Sequence, residues 1–214
     1  MKVAVFISGR GTNLQALIDV CAQEDTPAEI GLVVSNRPAA QGLARASAAG
    51  IPTVVVDHKT YDDRESFDAA LDTAVTRAGC DFICLAGFMR ILTEDFTRKW
   101  RDRMLNIHPS LIPAFPGLNC HARAIEAGVM ISGCTVHFAR PELDAGPVIA
   151  QAAVPVLPDD DEEALAARIL EAEHRIYPMA LKLIAQGRIR IVNERVRIQD
   201  GSMADGMLVN PAKS

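Results

Sequence analysis

An amide and an imidazole two residues apart, Asn106 and His108 in Leu105-Asn106-Ile107-His108-Pro109-Ser110, make the most informative stretch of this chain. Residues two apart on an extended segment share a face. Both side chains can therefore hydrogen-bond to one developing negative charge. Pro109, Pro113 and Pro116 stiffen the segment that follows. A carboxylate, Asp144, stands further on in Leu143-Asp144-Ala145-Gly146-Pro147. Beside His108 it would favour the protonated ring and could relay a proton. Away from His108 it is an ordinary turn aspartate, and Asn106 and His108 are then a satisfied polar strand end. Spacing does not decide between these. Ser110 has no Gly-x-Ser-x-Gly elbow around it and is not expected to act as a nucleophile. His108, His121, His137 and Asp144 match no short ligand spacing such as His-x-x-x-His, so no metal site is expected.

A second candidate is the turn Ser8-Gly9-Arg10-Gly11-Thr12-Asn13-Leu14, between an apolar run and a helical pattern. Two glycines permit a tight turn with close backbone approach. The first amides of the following helix then point outward, and together with the helix dipole they form a phosphate site that needs no net positive charge. The alternative is a plain strand-to-helix turn in which Thr12 or Asn13 serves as the cap. A dinucleotide fingerprint fits less well. Leu14 stands where G-x-G-x-x-G needs its third glycine, and the second strand ends in Ser35-Asn36-Arg37 without the ribose carboxylate. Arg37 would suit a 2′-phosphate, which keeps an NADPH reductase as a competing reading. No Gly-Lys-Ser/Thr follows, so the turn is not a Walker loop.

These residues need elements to hold them. Apolar runs at residues 3–8, 28–35, 53–56, 81–86 and 104–107 read as buried strands. Helical patterns at 12–21, 41–49, 63–78 and 93–100 alternate with them. The alternation predicts an α/β fold, a mostly parallel twisted sheet with helices on both faces. After residue 107 the pattern changes: residues 133–138 and 147–156 read as strands with no clear helix between the two, which predicts antiparallel additions in the C-terminal half. Residues 160–187 form the longest helical pattern, with a kink expected near His174 because Pro178 lies inside it. A hairpin is expected at 189–192 and 196–199. We expect one domain over residues 1–200, a nucleotide-binding half (about 1–100) and a catalytic half (about 101–200), with residues 201–214 a mobile tail.

Composition narrows the function classes. The 214 residues are 49% hydrophobic and 23% charged, an ordinary globular balance that excludes a disordered or fibrous chain. Lys plus Arg is 22 against 27 Asp plus Glu, a net charge of −5. Such a chain has no global attraction for nucleic acid or an anionic bilayer, so neither partner is expected. The apolar N-terminal run is too short for a signal peptide or a membrane span. Cys21, Cys80, Cys84, Cys120 and Cys134 are an odd number without a Cys-x-x-Cys pair. They read as reduced thiols of a cytoplasmic protein.

Six stretches occur together in one order: Ser8-Gly9-Arg10-Gly11-Thr12-Asn13-Leu14-Gln15, Ala86-Gly87-Phe88-Met89-Arg90-Ile91-Leu92, Asn106-Ile107-His108-Pro109-Ser110-Leu111-Ile112-Pro113, Gly133-Cys134-Thr135-Val136-His137-Phe138, Leu143-Asp144-Ala145-Gly146-Pro147-Val148-Ile149 and Ala172-Glu173-His174-Arg175-Ile176-Tyr177-Pro178. On these the sequence resembles the phosphoribosylglycinamide formyltransferases, folate-dependent enzymes of purine synthesis, across about residues 3–190. The Asn-x-His and Leu-Asp-x-Gly pair belongs to the wider formyltransferases, and the glycine turn narrows the resemblance to this family.

The resemblance implies a Rossmann-like formyltransferase fold and transfer of a formyl group from the co-substrate 10-formyltetrahydrofolate to the amine of glycinamide ribonucleotide. It places Asn106, His108 and Asp144 at the catalytic positions. Gly11, Thr12 and Asn13 fall on the substrate-phosphate loop and Glu173 on the ribose. Met89, Arg90, Ile91, Leu92, Asn106, Leu143 and Asp144 fall on the folate pocket, with Arg64 on the folate tail. Ser110 and His137 fall behind the catalytic residues, and residues 111–129 on a loop that covers the site. Ala139-Arg140-Pro141-Glu142 departs from the pattern, which leaves the pterin contacts there less defined. The resemblance implies no metal and a monomer or homodimer. A 10-formyltetrahydrofolate deformylase shares the catalytic motifs and remains an alternative, as does a nucleotide-binding module without catalysis.

Overall fold

The computed structural model describes residues 1–201 and 209–210. Apart from residues 201, 209 and 210, the predicted tail lies outside the described residues.

Five strands, β1 (Lys2–Ile7), β2 (Glu29–Ser35), β3 (Thr53–Val55), β4 (Phe82–Leu85) and β5 (Met104–His108), lie parallel. Two more, β6 (Ile131–Phe138) and β7 (Val148–Pro155), continue the sheet antiparallel. The order is β3-β2-β1-β4-β5-β6-β7. Parallel neighbours need crossover helices, and these cover both faces. They are α1 (Thr12–Cys21), α2 (Gly42–Ala48), α3 (Arg64–Arg77) and α4 (Glu94–Lys99). In the C-terminal half come α5 (Cys120–Glu126) and the long α6 (Glu162–Ala185). A separate hairpin, β8 (Ile189–Val192) with β9 (Arg195–Ile198), follows.

Strand alternation divides the core in two. Val3, Val5 and Ile7 of β1 pack with Leu14 and Leu17 of α1 and with Leu165, Ile169 and Tyr177 of α6. Ala4 and Phe6 pack on the other face with Phe67, Leu71, Phe96 and Trp100 of the α3–α4 side. β1 is central and buried on both faces, which is why its sequence is a continuous apolar run rather than an alternating one. Helix starts follow their caps. The side chains of Asp63, Thr93 and Asp161 accept from the backbone N–H groups of Ser66, Phe96 and Ala164.

One feature differs from expectation. α5 lies inside the stretch predicted as a covering loop. It has seven residues and buries only Cys120 and Ala124, too few positions to produce a legible helical period. α6 runs unbroken from Glu162 to Ala185 with Pro178 inside it. Among the described residues, no helix is long and apolar enough to cross a membrane.

The topology dictates where a ligand can sit. After β1 the chain builds β2 and β3 to one side, then returns to place β4 and β5 on the other. The strand order reverses at β1/β4, and the crevice beyond the C-terminal ends of such strands is open to ligands.

Candidate active site

At that crevice a cavity of about 500 Å³ is lined by Ser8, Gly9, Arg10, Gly11, Thr12 and Asn13 after β1, with Ala86, Gly87 and Met89 after β4. Ile107 and Pro109 close it from β5, and Glu163, Leu170 and Glu173 from α6. Gly11 is the N-cap of α1, at φ 72°, and no side chain caps that helix. Neither Thr12 nor Asn13 is therefore the cap, because Thr12 is already the first helical residue. Left-handed backbone alone favours glycine here, and space demands it: a Cβ on Gly11 would stand 2.6 Å from the Cα of Gly42. α2 is thus packed against the turn, with the N–H of Gly42 donating to the carbonyl of Gly9 at 3.0 Å.

Asn13 turns inward. Its Nδ2 donates to Oε2 of Glu173 at 2.7 Å, while its own Oδ1 is buried without a protein partner among the described residues. Glu173 is itself buried. Burial pushes its carboxyl above the usual range, and the Asn13 hydrogen bond opposes this. Ser8 fixes the crevice floor. Its hydroxyl donates to Oδ1 of Asn36 at 2.5 Å and accepts from the N–H of Met89 at 2.8 Å, which ties the ends of β1 and β2 to the segment after β4.

β5 is shared between this cavity and a polar cluster. Ile107 and Pro109 face the cavity, and Asn106 and His108 build the cluster. Oδ2 of Asp144 lies 3.3 Å from Nδ1 of His108. Nδ2 of Asn106 lies 3.4 Å from Oδ1 of the same carboxylate. Asn106 pairs across the sheet with His137, and His108 with Thr135. A register shift between Val136 and His137 marks an irregularity in β6 at this point. Nδ2 of Asn106 is 3.2 Å from Nε2 of His137. Nδ1 of His137 faces the carbonyl of Phe138 at 3.0 Å and so carries the proton, which leaves Nε2 to accept. Burial holds the His137 ring below its usual titration range, in keeping with this neutral form. The second ring nitrogen of His108, Nε2, is 3.1 Å from the carbonyl of Phe115. Both nitrogens of His108 thus face acceptors, an arrangement satisfied by a doubly protonated ring.

The segment after β5 folds over this cluster. The N–H of Gly117 donates to Oδ2 of Asp144 at 2.8 Å. The Cys120 thiol donates to the carbonyl of Gly117 at 3.0 Å, and its sulfur is 3.4 Å from Nε2 of His108. Beneath, Thr135 Oγ1 donates to the carbonyl of Ser110 at 2.7 Å and accepts from the N–H of Ile112 and from Nε2 of Gln151. Ser110 donates to the carbonyl of Ala114 at 2.6 Å. It therefore shapes the backbone, as its lack of a nucleophile elbow implies.

Asn106, His108, Asp144 and His137 are brought together, and Gly11, Thr12, Asn13 and Glu173 form a second group. Met89 joins the cavity. Arg90, Ile91 and Leu143 are exposed nearby along the chain, and Leu92 is half-buried against the α3–α4 side of the core. Arg64 is exposed at the first turn of α3 and bonds to none of these residues. His121 lines the cavity, apart from the other three members of the zinc set weighed from sequence. No group of three or more residues suited to hold a metal occurs among the described residues. The sequence reading missed Phe115, Gly117, Gln151 and Tyr177, whose hydroxyl donates to the carbonyl of Leu85 at 3.0 Å. Two of these act through backbone atoms, which leave no trace in residue type.

Residues 1–181 match the family model described as formyl transferase. The chain belongs to the formyl transferase family. The match covers the whole seven-stranded sheet and both groups of site residues. Among family relatives, the phosphoribosylglycinamide formyltransferase of Haemophilus influenzae is 46% identical over 190 residues, covering 89% of this chain and 90% of that one. The trifunctional purine biosynthetic protein adenosine-3 of Gallus gallus is 52% identical over 191 residues. That match covers 89% of this chain but only 19% of the relative, so the chain spans about a fifth of that protein's length. In three dimensions, glycinamide ribonucleotide transformylase 1 from Symbiobacterium toebii superposes with a TM-score of 0.91 at 48% identity, over 94% of each chain.

Proposed function

We propose that this protein is a phosphoribosylglycinamide formyltransferase. It moves the formyl group of 10-formyltetrahydrofolate to the amine of glycinamide ribonucleotide, in de novo purine biosynthesis. The observation that carries the reading is the convergence of two donors, Asn106 Nδ2 and His108 Nδ1, on one carboxylate, on a strand shared with a cavity that holds a helix N-terminus no side chain caps.

The site fits both substrates. The first amides of α1 suit the ribonucleotide phosphate. The buried Glu173 carboxylate, aimed by Asn13, suits the ribose hydroxyls, and Oδ1 of Asn13 is a further acceptor. Exposed apolar side chains Met89, Ile91, Leu118 and Leu143 stand on three segments around the cluster, and with Arg90 and Leu92 they offer a surface for a heteroaromatic ring. Arg64 is the cation for the folate tail.

Direct attack of the ribonucleotide amine on the formyl carbon places negative charge on the formyl oxygen. In this structure the Asp144 carboxylate occupies the point at which Asn106 and His108 aim. Both contacts are longer than the ~2.7–2.9 Å of a tight charge-assisted bond, so a formyl oxygen can displace it. Asn106 and His108 then donate to that oxygen, each worth roughly 10²–10³ in rate. His137 holds the Asn106 amide in the donating orientation. Asp144, released from them, takes the ammonium proton and passes it through water towards the departing folate nitrogen. Holding both substrates at one crevice supplies the proximity.

On this reading residues 1–200 form one formyltransferase domain, with a ribonucleotide half at about 1–100 and a folate and catalytic half at about 101–200. It acts on small molecules in the cytoplasm as a monomer or homodimer. The test is to incubate the protein with 10-formyltetrahydrofolate and glycinamide ribonucleotide. The absorbance of released tetrahydrofolate and the mass of the ribonucleotide are followed. Formylated ribonucleotide is expected. Formate released without any need for ribonucleotide would identify a deformylase, and no turnover at all a binding module.

A further inference from the structure

Arg140 stands where the sequence departs from the family pattern, four residues before Asp144 on the turn between β6 and β7. Its side chain is only 5% exposed, yet it carries a guanidinium. Nη2 donates to Oδ1 of Asp102 at 2.7 Å, Nε to Oε2 of Glu194 at 2.7 Å and Nη1 to the carbonyl of Ala139 at 3.0 Å. Glu194 sits at the tip of the β8–β9 hairpin and is also bonded by Arg101. It is 54% exposed, as is much of Asp102. The buried cation therefore reaches outward to two surface acids, one on the turn before β5 and one on the hairpin. The hairpin lies beyond residue 181, where the family match stops.

The same arginine touches the turn that holds Asp144. Asp144 is in the left-handed region at φ 51°. Two residues later, a Cβ on Gly146 would stand 1.6 Å from the carbonyl oxygen of Phe138 and 3.2 Å from Cγ of Arg140. The loop is pinned at its base by Phe138 N–H to Pro147 O and Ala139 N–H to Met104 O. Between those pins, Asp144 ties the loop to His108 and Gly117 on the site side, and Arg140 ties it to Asp102 and Glu194 on the surface side.

We infer that Glu194, acting through Arg140, is a positioning residue: the C-terminal hairpin clamps the loop that carries Leu143 and Asp144 and so sets the folate side of the site. The inference rests on the formyl-transfer reading for its kinetic consequence and on geometry alone for the clamp. A planar guanidinium that gives Nε to one carboxylate and Nη2 to another is fixed in orientation as well as attracted, so loss of one acid should let the loop shift without unfolding the sheet.

The test uses the full chain with Glu194→Gln and Glu194→Asp, and Arg140→Ala alone and combined with Glu194→Gln. Hydrogen exchange of the amides of residues 139–147 should quicken at least 5-fold in Glu194→Gln and return towards wild type in Glu194→Asp. In the transfer assay, Glu194→Gln should raise KM for the formyl donor and lower kcat, each 3- to 10-fold, with KM for the ribonucleotide unchanged. The double variant should be no worse than Arg140→Ala. Unchanged exchange and unchanged donor KM in a folded Glu194→Gln would overturn the inference, and so would equal losses for both substrates. If the wild-type chain transfers no formyl group, the functional reading is overturned instead, and the exchange measurement alone decides the clamp.

Discussion

The Asp144 carboxylate lies 3.3 Å from Nδ1 of His108 through Oδ2 and 3.4 Å from Nδ2 of Asn106 through Oδ1, so one anion bridges both candidate oxyanion donors. The bridge is loose, and the side chains of His108 and Asp144 are nearly closed to solvent. A preorganised but weakly occupied donor pair is what stabilisation of transient charge requires.

Asp144→Asn keeps the shape of the side chain and removes both the charge that faces His108 and the proton acceptor. We expect kcat to fall by about 10²–10³, while KM for the ribonucleotide stays within about twofold. Steady-state rates with each substrate varied check this. Near-normal kcat would remove Asp144 from the mechanism. Asn106→Ala should give a loss of similar size.

Glu173→Gln separates stability from binding. Burial raises the folded-state titration of Glu173, so the stability it contributes is fully present below the ordinary carboxylate range. It is lost as pH rises through the raised value. The uncharged amide escapes that loss. The variant should therefore melt higher than wild type at pH 7–8, by about 2–4 °C for each kcal/mol relieved, and the difference should vanish or reverse near pH 4. Its KM for the ribonucleotide should rise by at least about 10-fold, with KM for the folate unchanged. A lower melting temperature at pH 8 would contradict the burial argument.

Gly11→Ala forces a side chain into left-handed backbone and against Gly42. Strain of this kind costs about 1–3 kcal/mol, and the loop must move. We expect a raised KM for the ribonucleotide with folate affinity retained, measured by titrating each ligand separately. Equal weakening of both would point to a general folding defect.

Thr135→Val is nearly isosteric, but it leaves the carbonyl of Ser110 and the N–H of Ile112 without their buried partner. At about 1 kcal/mol for each lost bond, a destabilisation of about 2–3 kcal/mol is expected. Urea unfolding should show a lower midpoint at an unchanged slope. Because this bond holds the segment after His108, kcat should fall as well.

Parallel topology was legible because each buried strand is a short apolar run and each covering helix repeats its apolar residues at helical spacing. Asn106 and His108 were legible as a pair for the same reason: two-residue spacing on a strand has one geometric meaning. α5 was not, since seven residues with two buried positions carry no period. Gly117 and Phe115 were not, since they act through backbone N–H and C=O, which every residue type supplies.

Residue type and local period alone determined the alternation of strands and helices along the chain, the glycine turn able to meet a phosphate, and the pairing of Asn106 with His108 on one strand face; the link to formyl transfer came from the resemblance to a family. Tertiary structure decided that Asp144 meets His108 rather than capping a distant turn, that Asn13 aims Glu173 across the crevice, and that the C-terminal hairpin holds Arg140. Local sequence encodes the short-range preferences of the chain. Adjacency between residues far apart is set by strand order, by the cross-strand pairing of β5 with β6, and by which buried polar groups must find partners once the sheet has closed.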